Sequence, residues 1–339
     1  MLPHLAAELA IPRRRIAGRA PGSMPVVRTS HWTDWPADRL LAAKEQAGTR
    51  VSVVIPARDE QRTVGRVVST LRQALVTDVP LVDEIVVMDS DSADATGRVA
   101  RRAGATVHRA RDVGPELGTF PGKGEALWKS LLVTDGDLLV FVDADLTRWG
   151  PHFVTGLLGP LLADPQVRLV KGFYERVRTE RDGATSTEGG RVTELVARPL
   201  LSLWWPELAG VVQPLAGEWA ARRSLMESLS IPVGYGVELS TLLDTAARHG
   251  LDALAQVDLG SRAHKHQADH DLAVMAAELM VVAEARRAHP AAPPPDAVLR
   301  QFVRCGGVAQ PRFRPIPTRE RPPLVTVRGA AAGPARPAI

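Results

Sequence analysis

The chain has 339 residues, of which 45% are hydrophobic and 24% charged, as in one large globular domain. The 42 basic residues barely exceed the 38 acidic ones, so the net charge is only +4. Nucleic-acid binding requires a concentrated basic face. The small surplus therefore speaks against nucleic acid and favours a small anionic partner.

Cysteine and apolar content bear on where the protein acts. Cys305 is the single cysteine, so no disulfide can form within the chain. That favours a cytoplasmic protein. No apolar run is long enough to span a bilayer, and no transmembrane segment is expected.

Short apolar segments alternate with amphipathic segments through the first half of the chain. Residues 1–30 lack such a pattern and are expected to form a mobile arm. The alternation predicts parallel βαβ units. The predicted strands are 51–55, 84–88, 106–108 and 138–146, and the predicted helices are 37–46, 63–75, 95–103 and 125–132.

The second half predicts further elements of the same kind. Proline and glycine accumulate from residue 291, and residues after about 320 are expected to be disordered. Trp204 and Trp205 are expected to pack in the core. The predicted strands are 167–173, 217–222 and 253–259, and the predicted helices are 153–162, 192–203 (interrupted near Pro199), 237–249 and 272–288.

Pairs of acidic residues follow three of the predicted strands. The pairs are Asp59 and Glu60, Asp89 and Asp91, and Asp143 and Asp145. The carboxyl ends of parallel strands meet at one edge of a sheet, where ligands bind. Adjacent carboxylates repel each other, and Mg²⁺ or Mn²⁺ relieves the repulsion. Any one pair could equally cap a helix, but three pairs together favour a ligand site.

The segment PGKG places a lysine between two glycines, Gly122 and Gly124, at a predicted helix start. Such a segment can cradle a phosphate with backbone N–H groups. The alternative is a glycine turn with a solvated lysine. The spacing is not that of a Walker A motif.

Three segments, VSVVIPARDE, DSDSADAT and VFVDADL, resemble the nucleotide-sugar domain of glycosyltransferases with the GT-A fold. PGKGEALWKSL, GGRVTELVARPLL, VQPLAGEWAARR, GYGVELSTLLDT and AQVDLGSRAHKHQ are similar to segments of the actinobacterial glucosyl-3-phosphoglycerate synthases. The resemblance runs from about residue 31 to 270. It implies a mostly parallel α/β sheet flanked by helices, with a nucleotide-sugar half at 31–165, an acceptor half of the same domain at 166–290 and an extension at 291–339.

The resemblance also implies an activity. Glucose would pass from UDP-glucose to the 2-hydroxyl of D-3-phosphoglycerate with retention, in a homodimer that needs Mg²⁺ or Mn²⁺. The product would serve methylglucose lipopolysaccharide or glucosylglycerate synthesis. Three alternatives stay open: a mannosyl-3-phosphoglycerate synthase using GDP-mannose or both donors, a membrane-associated polyprenyl-phosphate glycosyltransferase, and a catalytically silent nucleotide-sugar-binding protein.

The resemblance assigns roles to individual residues. Donor binding falls to Pro56, Ala57, Asp59, Glu60, Ser90, Lys123, Asp143 and Arg262. The expected metal ligands are Asp145 and His264, with His266 in reserve; without the resemblance, His264 would be taken for a surface histidine. Arg262 and Lys265 could add positive charge over the diphosphate.

The acceptor and the catalytic groups are assigned in the same way. Acceptor binding falls to Gly190, Arg191, Thr193 and Tyr235, and catalysis to Glu238, Asp145 and Arg191. A glycine at a helix start, a guanidinium and a hydroxyl suit a phosphorylated carboxylic acid. The alternative for Arg191 is a surface pair with Glu194. Departures from the family pattern, such as Asp91 beside the expected uracil site, leave the nucleotide preference open.

Overall fold

The structure, a computed structural model, describes residues 27–176, 178–179, 185–186, 190–262, 269–287, 298–305 and 308–331. Its strands are β1 Arg28–His31, β2 Val51–Ala57, β3 Glu84–Asp89, β4 Thr106–Arg109, β5 Leu138–Phe141, β6 Leu169–Arg176, β7 Arg178–Thr179, β8 Thr185–Ser186, β9 Trp219–Arg222, β10 Ile231–Pro232, β11 Leu254–Arg262, β12 Val298–Cys305, β13 Val308–Pro315 and β14 Glu320–Arg321. Its helices are α1 Ala37–Ala47, α2 Val64–Arg72, α3 Thr96–Arg102, α4 Lys123–Ser130, α5 His152–Ala163, α6 Arg198–Trp204, α7 Arg223–Ser228, α8 Val237–His249, α9 Asp269–Ala285 and α10 Leu324–Ala331.

Eight strands form one central sheet in the order β1-β11-β6-β9-β5-β2-β3-β4. Neighbours pair in parallel except at β9, which runs antiparallel to both β5 and β6. Helices α1, α2, α3 and α5 cover one face, and the other helices with buried side chains cover the opposite face. Burial on both faces explains why β2 and β5 are continuous apolar runs.

One edge of this sheet collects the functional side chains. The carboxyl ends of β2, β3, β5, β6 and β11 lie there, and so does the amino end of the antiparallel strand β9. Strands from before and after residue 165 belong to this same sheet. None of the helices in the described ranges combines the length and apolar character needed to cross a bilayer.

Several local expectations are wrong. Residues 28–31 are not part of a mobile arm, because β1 pairs with β11 at the end of the sheet; residues 1–26 lie outside the described residues. The helix around Pro199 is not interrupted, since a π-helical turn, Thr193–Ala197, leads directly into α6. Trp204 is 38% exposed, with the Arg287 guanidinium over its ring, and is not a core residue.

The C-terminal segment is ordered further than the composition predicts. Residues 320–331, expected to be disordered, form β14 and α10, while residues 332–339 lie outside the described part. Arg321 forms a buried two-point ion pair with Glu125 at 2.7 and 2.8 Å, and Leu324 is fully buried. The ion pair between Arg321 and Glu125 of α4 thus helps to hold residues 320–331 in place, although their composition predicted disorder.

Candidate functional site

A cavity of about 430 Å³ opens at this edge of the sheet. Such a volume suits a nucleotide-sized ligand. Leu215, Met275 and Leu279 add an apolar wall. The residues predicted for a site that line the cavity are Pro56, Ala57, Glu60, Ser90, Lys123, Asp143, Asp145, Tyr235, Glu238 and Arg262.

The strand alternation of β5 continues beyond its last paired residue and aims both aspartates into the cavity. The N–H of Val142 still bonds to the Val54 carbonyl at 3.1 Å. Val142 and Ala144 are buried in the core, while the side chains of Asp143 and Asp145 keep 23% and 26% of their exposure. The sequence VFVDADL therefore delivers two carboxylates to one side of the chain.

Lys123 joins two parts of the site. Its ammonium group is 2.7 Å from Oδ1 of Asp143 and 2.7 Å from Oε1 of Glu238. Burial disfavours the charged lysine, but the two carboxylates outweigh burial and raise its pKa. Lys123 is thus a fixed positive charge that ties the end of β5 to the first turn of α8.

Arg262 forms a second bridge, at the end of β11. Its Nη1 donates to Glu218 at 2.8 Å and to the Tyr174 hydroxyl, while its Nη2 lies 2.9 Å from Asp143 and 3.4 Å from Asp145. The side chain is 4% exposed. The positive charge of Arg262 is therefore shared among three carboxylates, whereas the family resemblance implied that it would face a diphosphate.

The two aspartates have opposite electrostatic environments. Burial raises the pKa of both carboxyls, but Lys123 and Arg262 outweigh it at Asp143 and hold that pKa below its ordinary value. At Asp145, burial and the charge of Asp143 dominate, Glu60 adds to them, and the pKa is raised. A divalent cation would relieve exactly the excess of negative charge that Asp145 experiences. Asp145 therefore fits a metal ligand, and Asp143 fits an ion-pair partner.

The protein ligands of such a cation are only partly visible. Among the described residues, no three histidine, cysteine or acidic side chains are arranged to hold a metal ion. His264, Lys265 and His266 lie outside the described residues. Asp145 alone represents the predicted metal site here.

Two backbone N–H groups of the segment expected to cradle a phosphate around Lys123 are bonded within the protein. The N–H groups of Gly124 and Glu125 donate to the carbonyls of Gly234 and Val233 at 3.1 and 2.9 Å. A Cβ at Gly124 would lie 1.8 Å from the Pro232 carbonyl oxygen. The glycines permit close approach of the chain at 232–234, and both Gly122 and the Lys123 side chain line the cavity.

The loops after β2 and β3 are fastened to each other. Asp59, with φ of 56°, does not line the cavity; its Oδ1 accepts the Ala93 N–H at 2.7 Å. Glu60 and Ser90 do line it. Asp91, with φ of 59°, pairs with Arg111 at 2.6 Å. The arginine thus offsets the extra negative charge of Asp91, which was expected beside a uracil site.

The predicted acceptor residues fall into two groups. Tyr235 lines the cavity and keeps 41% of its exposure, and Glu238 stands beside it in the first turn of α8. Gly190, Arg191 and Thr193 open the helical segment before α6 and do not line the cavity. Glu194, the alternative partner considered for Arg191, accepts from Arg198 at 2.8 Å.

Three charged residues that the sequence analysis missed surround this site. Glu218 is fully buried behind Arg262, and burial raises its pKa. Lys171 donates to the Ala216 carbonyl at 2.9 Å, and burial lowers its pKa to about 8. Glu278 faces the turn before α8. Each is a charged residue inside an otherwise apolar segment, and that was the available signal.

Comparison with known proteins gives consistent results. The model of the family "Glycosyl transferase family 2" matches residues 52–206. Glucosyl-3-phosphoglycerate synthase of Mycobacterium tuberculosis is 44% identical over 317 residues, covering 92% of this chain and 95% of that protein. The enzyme of the same name from Petrotoga mobilis is 46% identical over 243 residues, covering 72% of this chain and 75% of the relative.

Solved structures agree with the sequence comparison. The M. tuberculosis synthase in complex with Mn²⁺, UDP and phosphoglyceric acid superposes with a TM-score of 0.80 at 42% identity, covering 90% of this chain and 100% of that chain. A complex of that enzyme with Mn²⁺ and UDP-glucose gives a TM-score of 0.79 with the same coverage. The chain therefore has the GT-A fold and belongs to the family of glucosyl-3-phosphoglycerate synthases.

Proposed function

We propose that this protein transfers glucose from UDP-glucose to the 2-hydroxyl of D-3-phosphoglycerate, releasing UDP. The observation that carries the proposal is the cavity in which Lys123 and Arg262 hold Asp143 while Asp145 retains an excess of negative charge. The M. tuberculosis relative, which covers most of the chain, is a glucosyl-3-phosphoglycerate synthase. A crystal structure of that enzyme contains Mn²⁺, UDP-glucose and phosphoglyceric acid. A GDP-mannose-dependent activity has no such support.

The donor is proposed to lie along the carboxyl ends of β2, β3 and β5. Pro56, Ala57, Glu60 and Ser90 would contact the nucleoside, and Asp59 would hold their loop in shape. Asp145, together with His264, would bind Mn²⁺ or Mg²⁺, which supplies charge neutralisation for the departing diphosphate. Lys123 and Asp143 would contact the sugar and ribose side of the cavity.

The acceptor is proposed to enter between Tyr235 and the segment that begins at Gly190. Arg191 and Thr193 would bind its phosphate or carboxylate, because a guanidinium and a hydroxyl at a helix start form an anion site. These two residues do not line the cavity in this structure, so the acceptor would bridge from the cavity to them.

Retention is proposed to occur without an enzyme nucleophile. The bond from the glucose anomeric carbon to the UDP oxygen breaks, the bond to the acceptor 2-oxygen forms on the same face, and the acceptor proton passes to the leaving diphosphate. Glu238 is held by Lys123 at 2.7 Å, so it can orient a hydroxyl but is not a free base. Catalysis then depends on positioning and electrostatics. A trapped glycosyl adduct on Glu238 would disprove this mechanism.

A cytoplasmic location and a homodimeric state are part of the same proposal. The first follows from the single cysteine, and the second from the family resemblance. Light scattering of the purified protein tests the dimer.

The deciding experiment is a donor and acceptor screen read by mass spectrometry. UDP-glucose or GDP-mannose is combined with 3-phosphoglycerate, 2-phosphoglycerate or glycerol 3-phosphate, with and without Mn²⁺. We expect a hexosylated product from UDP-glucose and 3-phosphoglycerate that depends on the cation. Product from GDP-mannose alone, or UDP release without an acceptor product, would contradict the proposal.

A further inference from the structure

The turn GYG before α8 is clamped by helix α9 at two points one helical turn apart. A Cβ at Gly234 would lie 2.0 Å from Oε2 of Glu278, and a Cβ at Gly236 would lie 2.5 Å from Cγ2 of Val282. A side chain at either glycine would therefore displace Glu278 or Val282 of α9. Tyr235, between them, is the residue that projects into the cavity.

Glu278 bonds directly to this turn. Its Oε2 accepts the backbone N–H of Tyr235 at 2.5 Å, and the residue is 4% exposed. Met275, about one turn earlier on the same helix, and Leu279, the next residue, line the cavity. The carboxyl group is thus placed where α9, the cavity wall and the turn meet.

The turn is connected to the rest of the site on both sides. The Gly234 carbonyl accepts the N–H of Gly124, next to Lys123, at 3.1 Å. Glu238 follows Tyr235 by three residues and bonds to Lys123 at 2.7 Å. Any movement of this turn therefore changes the position of Tyr235, Glu238 and Lys123 together.

We propose that Glu278 is a positioning residue for the transfer reaction: its carboxylate holds the Tyr235 backbone so that Tyr235 and Glu238 face the acceptor. The assignment rests on the proposed function. Glu278 touches no reacting atom in this arrangement and acts through the turn.

The charge state of Glu278 gives the proposal a measurable signature. Burial, with help from the nearby charge of Glu238 on α8, raises the pKa of Glu278 to about 7, although the Tyr235 N–H opposes the shift. Among the side chains that the structure describes, the Tyr235 phenol also faces it, and burial raises the pKa of that phenol as well. Glu194, on the segment Thr193–Ala197 that packs against α9, is engaged with Arg198. An ionised acceptor makes the stronger bond, so Glu278 should hold the turn more firmly above pH 7.

The experiment compares Glu278→Ala, Glu278→Gln and wild type by steady-state kinetics from pH 6 to 9. A buried N–H without an acceptor should raise the KM for 3-phosphoglycerate in Glu278→Ala roughly tenfold. Glu278→Gln keeps an acceptor oxygen, so it should rescue most of this loss. Wild-type activity should rise as Glu278 ionises near pH 7, and Glu278→Gln should lack this rise. Glu284→Gln, the same change on α9 at a carboxylate that pairs with Arg287 at 2.8 Å, should match wild type.

A merely structural role gives a different result. In that case Glu278→Ala lowers the melting temperature and the amount of active enzyme, while its KM for 3-phosphoglycerate and its pH profile stay those of wild type, and the proposal is overturned. If wild type transfers no glucose to 3-phosphoglycerate, the proposed function fails. The positioning claim is then decided by crystal structures, in which Tyr235 should be displaced in Glu278→Ala and stay in place in Glu278→Gln; an unmoved turn refutes it.

Discussion

The ammonium group of Lys123 and the carboxylate of Asp143 lie 2.7 Å apart at the centre of the candidate site. One residue begins α4 and the other follows β5, so the ion pair connects two layers of the fold. Burial by itself would destabilise either charge. The pair persists because each group raises the stability of the other's ionised form, and Glu238 adds a second anionic partner for Lys123.

Replacing Lys123 by methionine should impair both folding and catalysis. The change leaves Asp143 and Glu238 buried without their common cation, which typically costs about 3–5 kcal/mol. The measurements are urea unfolding and the kcat/KM for UDP-glucose, which should fall by at least about a hundredfold. Lys44→Met removes a comparable ion pair, with Asp83 at 2.7 Å, away from the cavity. It should lower stability and leave the kinetic constants unchanged; equal kinetic losses in both variants would contradict the site assignment.

The two aspartates should respond oppositely to neutralisation. The pKa of Asp143 is held low, so its charge stabilises the fold above the unfolded pKa, and this contribution is lost as the pH falls through the folded pKa. The pKa of Asp145 is raised, so its charge costs stability at neutral pH, and the cost disappears in acid. In metal-free buffer at pH 7, Asp143→Asn should therefore lower the melting temperature and Asp145→Asn should raise it.

Shifts of this kind are measurable by calorimetry. A change of about 1 kcal/mol moves the midpoint of a chain of this size by roughly 1–2 °C. Both variants should lose activity, so Asp145→Asn is expected to gain stability at the expense of function. Destabilisation by both substitutions would show that Asp145 has a partner that offsets its burial.

Arg321 should contribute strongly to stability although it lies near the C-terminus. It pairs with Glu125 on α4, and it donates to the carbonyls of Leu117 and Gly118, on the segment leading into α4, at 2.8 and 2.9 Å. Arg321→Ala leaves a buried carboxylate without its guanidinium, and we expect a loss of about 3–5 kcal/mol in chemical unfolding.

The control for Arg321 is another arginine of the same C-terminal segment. Arg328 pairs with Glu227 at 2.7 Å, but its side chain is 54% exposed. Arg328→Ala should cost no more than about 1 kcal/mol, as exposed ion pairs do. Similar losses in the two variants would mean that the segment around Arg321 is as weakly held as its composition first suggested.

Much of the sheet and half of the site could be predicted from local sequence. The apolar runs of β2 and β5 predict buried parallel strands. The end of the β5 run identifies Asp143 and Asp145 as candidate site residues. What escaped prediction depends on partners distant in sequence. β1 pairs with β11 at the end of the sheet, and β14 pairs with β10 while its Arg321 pairs with the buried Glu125.

The glycines of PGKG illustrate why a motif can mislead. A glycine pair at a helix start is compatible with a phosphate cradle and with close chain packing, and the local sequence is the same in both cases. Only the position of the chain at 232–234, which takes up the N–H groups of Gly124 and Glu125, distinguishes them. Glu218 was missed for the same reason, since its partner Arg262 is 44 residues away.

Glu218 should tune cation binding without touching the cation. Its carboxylate bonds to Nη1 of Arg262, whose Nη2 faces Asp143 and the proposed ligand Asp145. In Glu218→Gln the guanidinium loses a counter-charge, and its full positive charge then opposes an incoming Mn²⁺. At an intermediate effective dielectric this costs about 1–2 kcal/mol. The Mn²⁺ concentration for half-maximal activity should therefore rise roughly tenfold at pH 8.

The control for Glu218→Gln removes a carboxylate of the same kind far from the cavity. Glu227 also pairs with arginines, Arg223 and Arg328, but it lies on α7, which follows the far end of β9. Glu227→Gln should leave the Mn²⁺ requirement unchanged. Burial raises the pKa of Glu218, so the assay is run at pH 8, where the carboxylate is favoured. An unchanged Mn²⁺ requirement in Glu218→Gln would mean that Glu218 is already protonated in the native protein, and Arg262 would then face the cation with its charge undiminished.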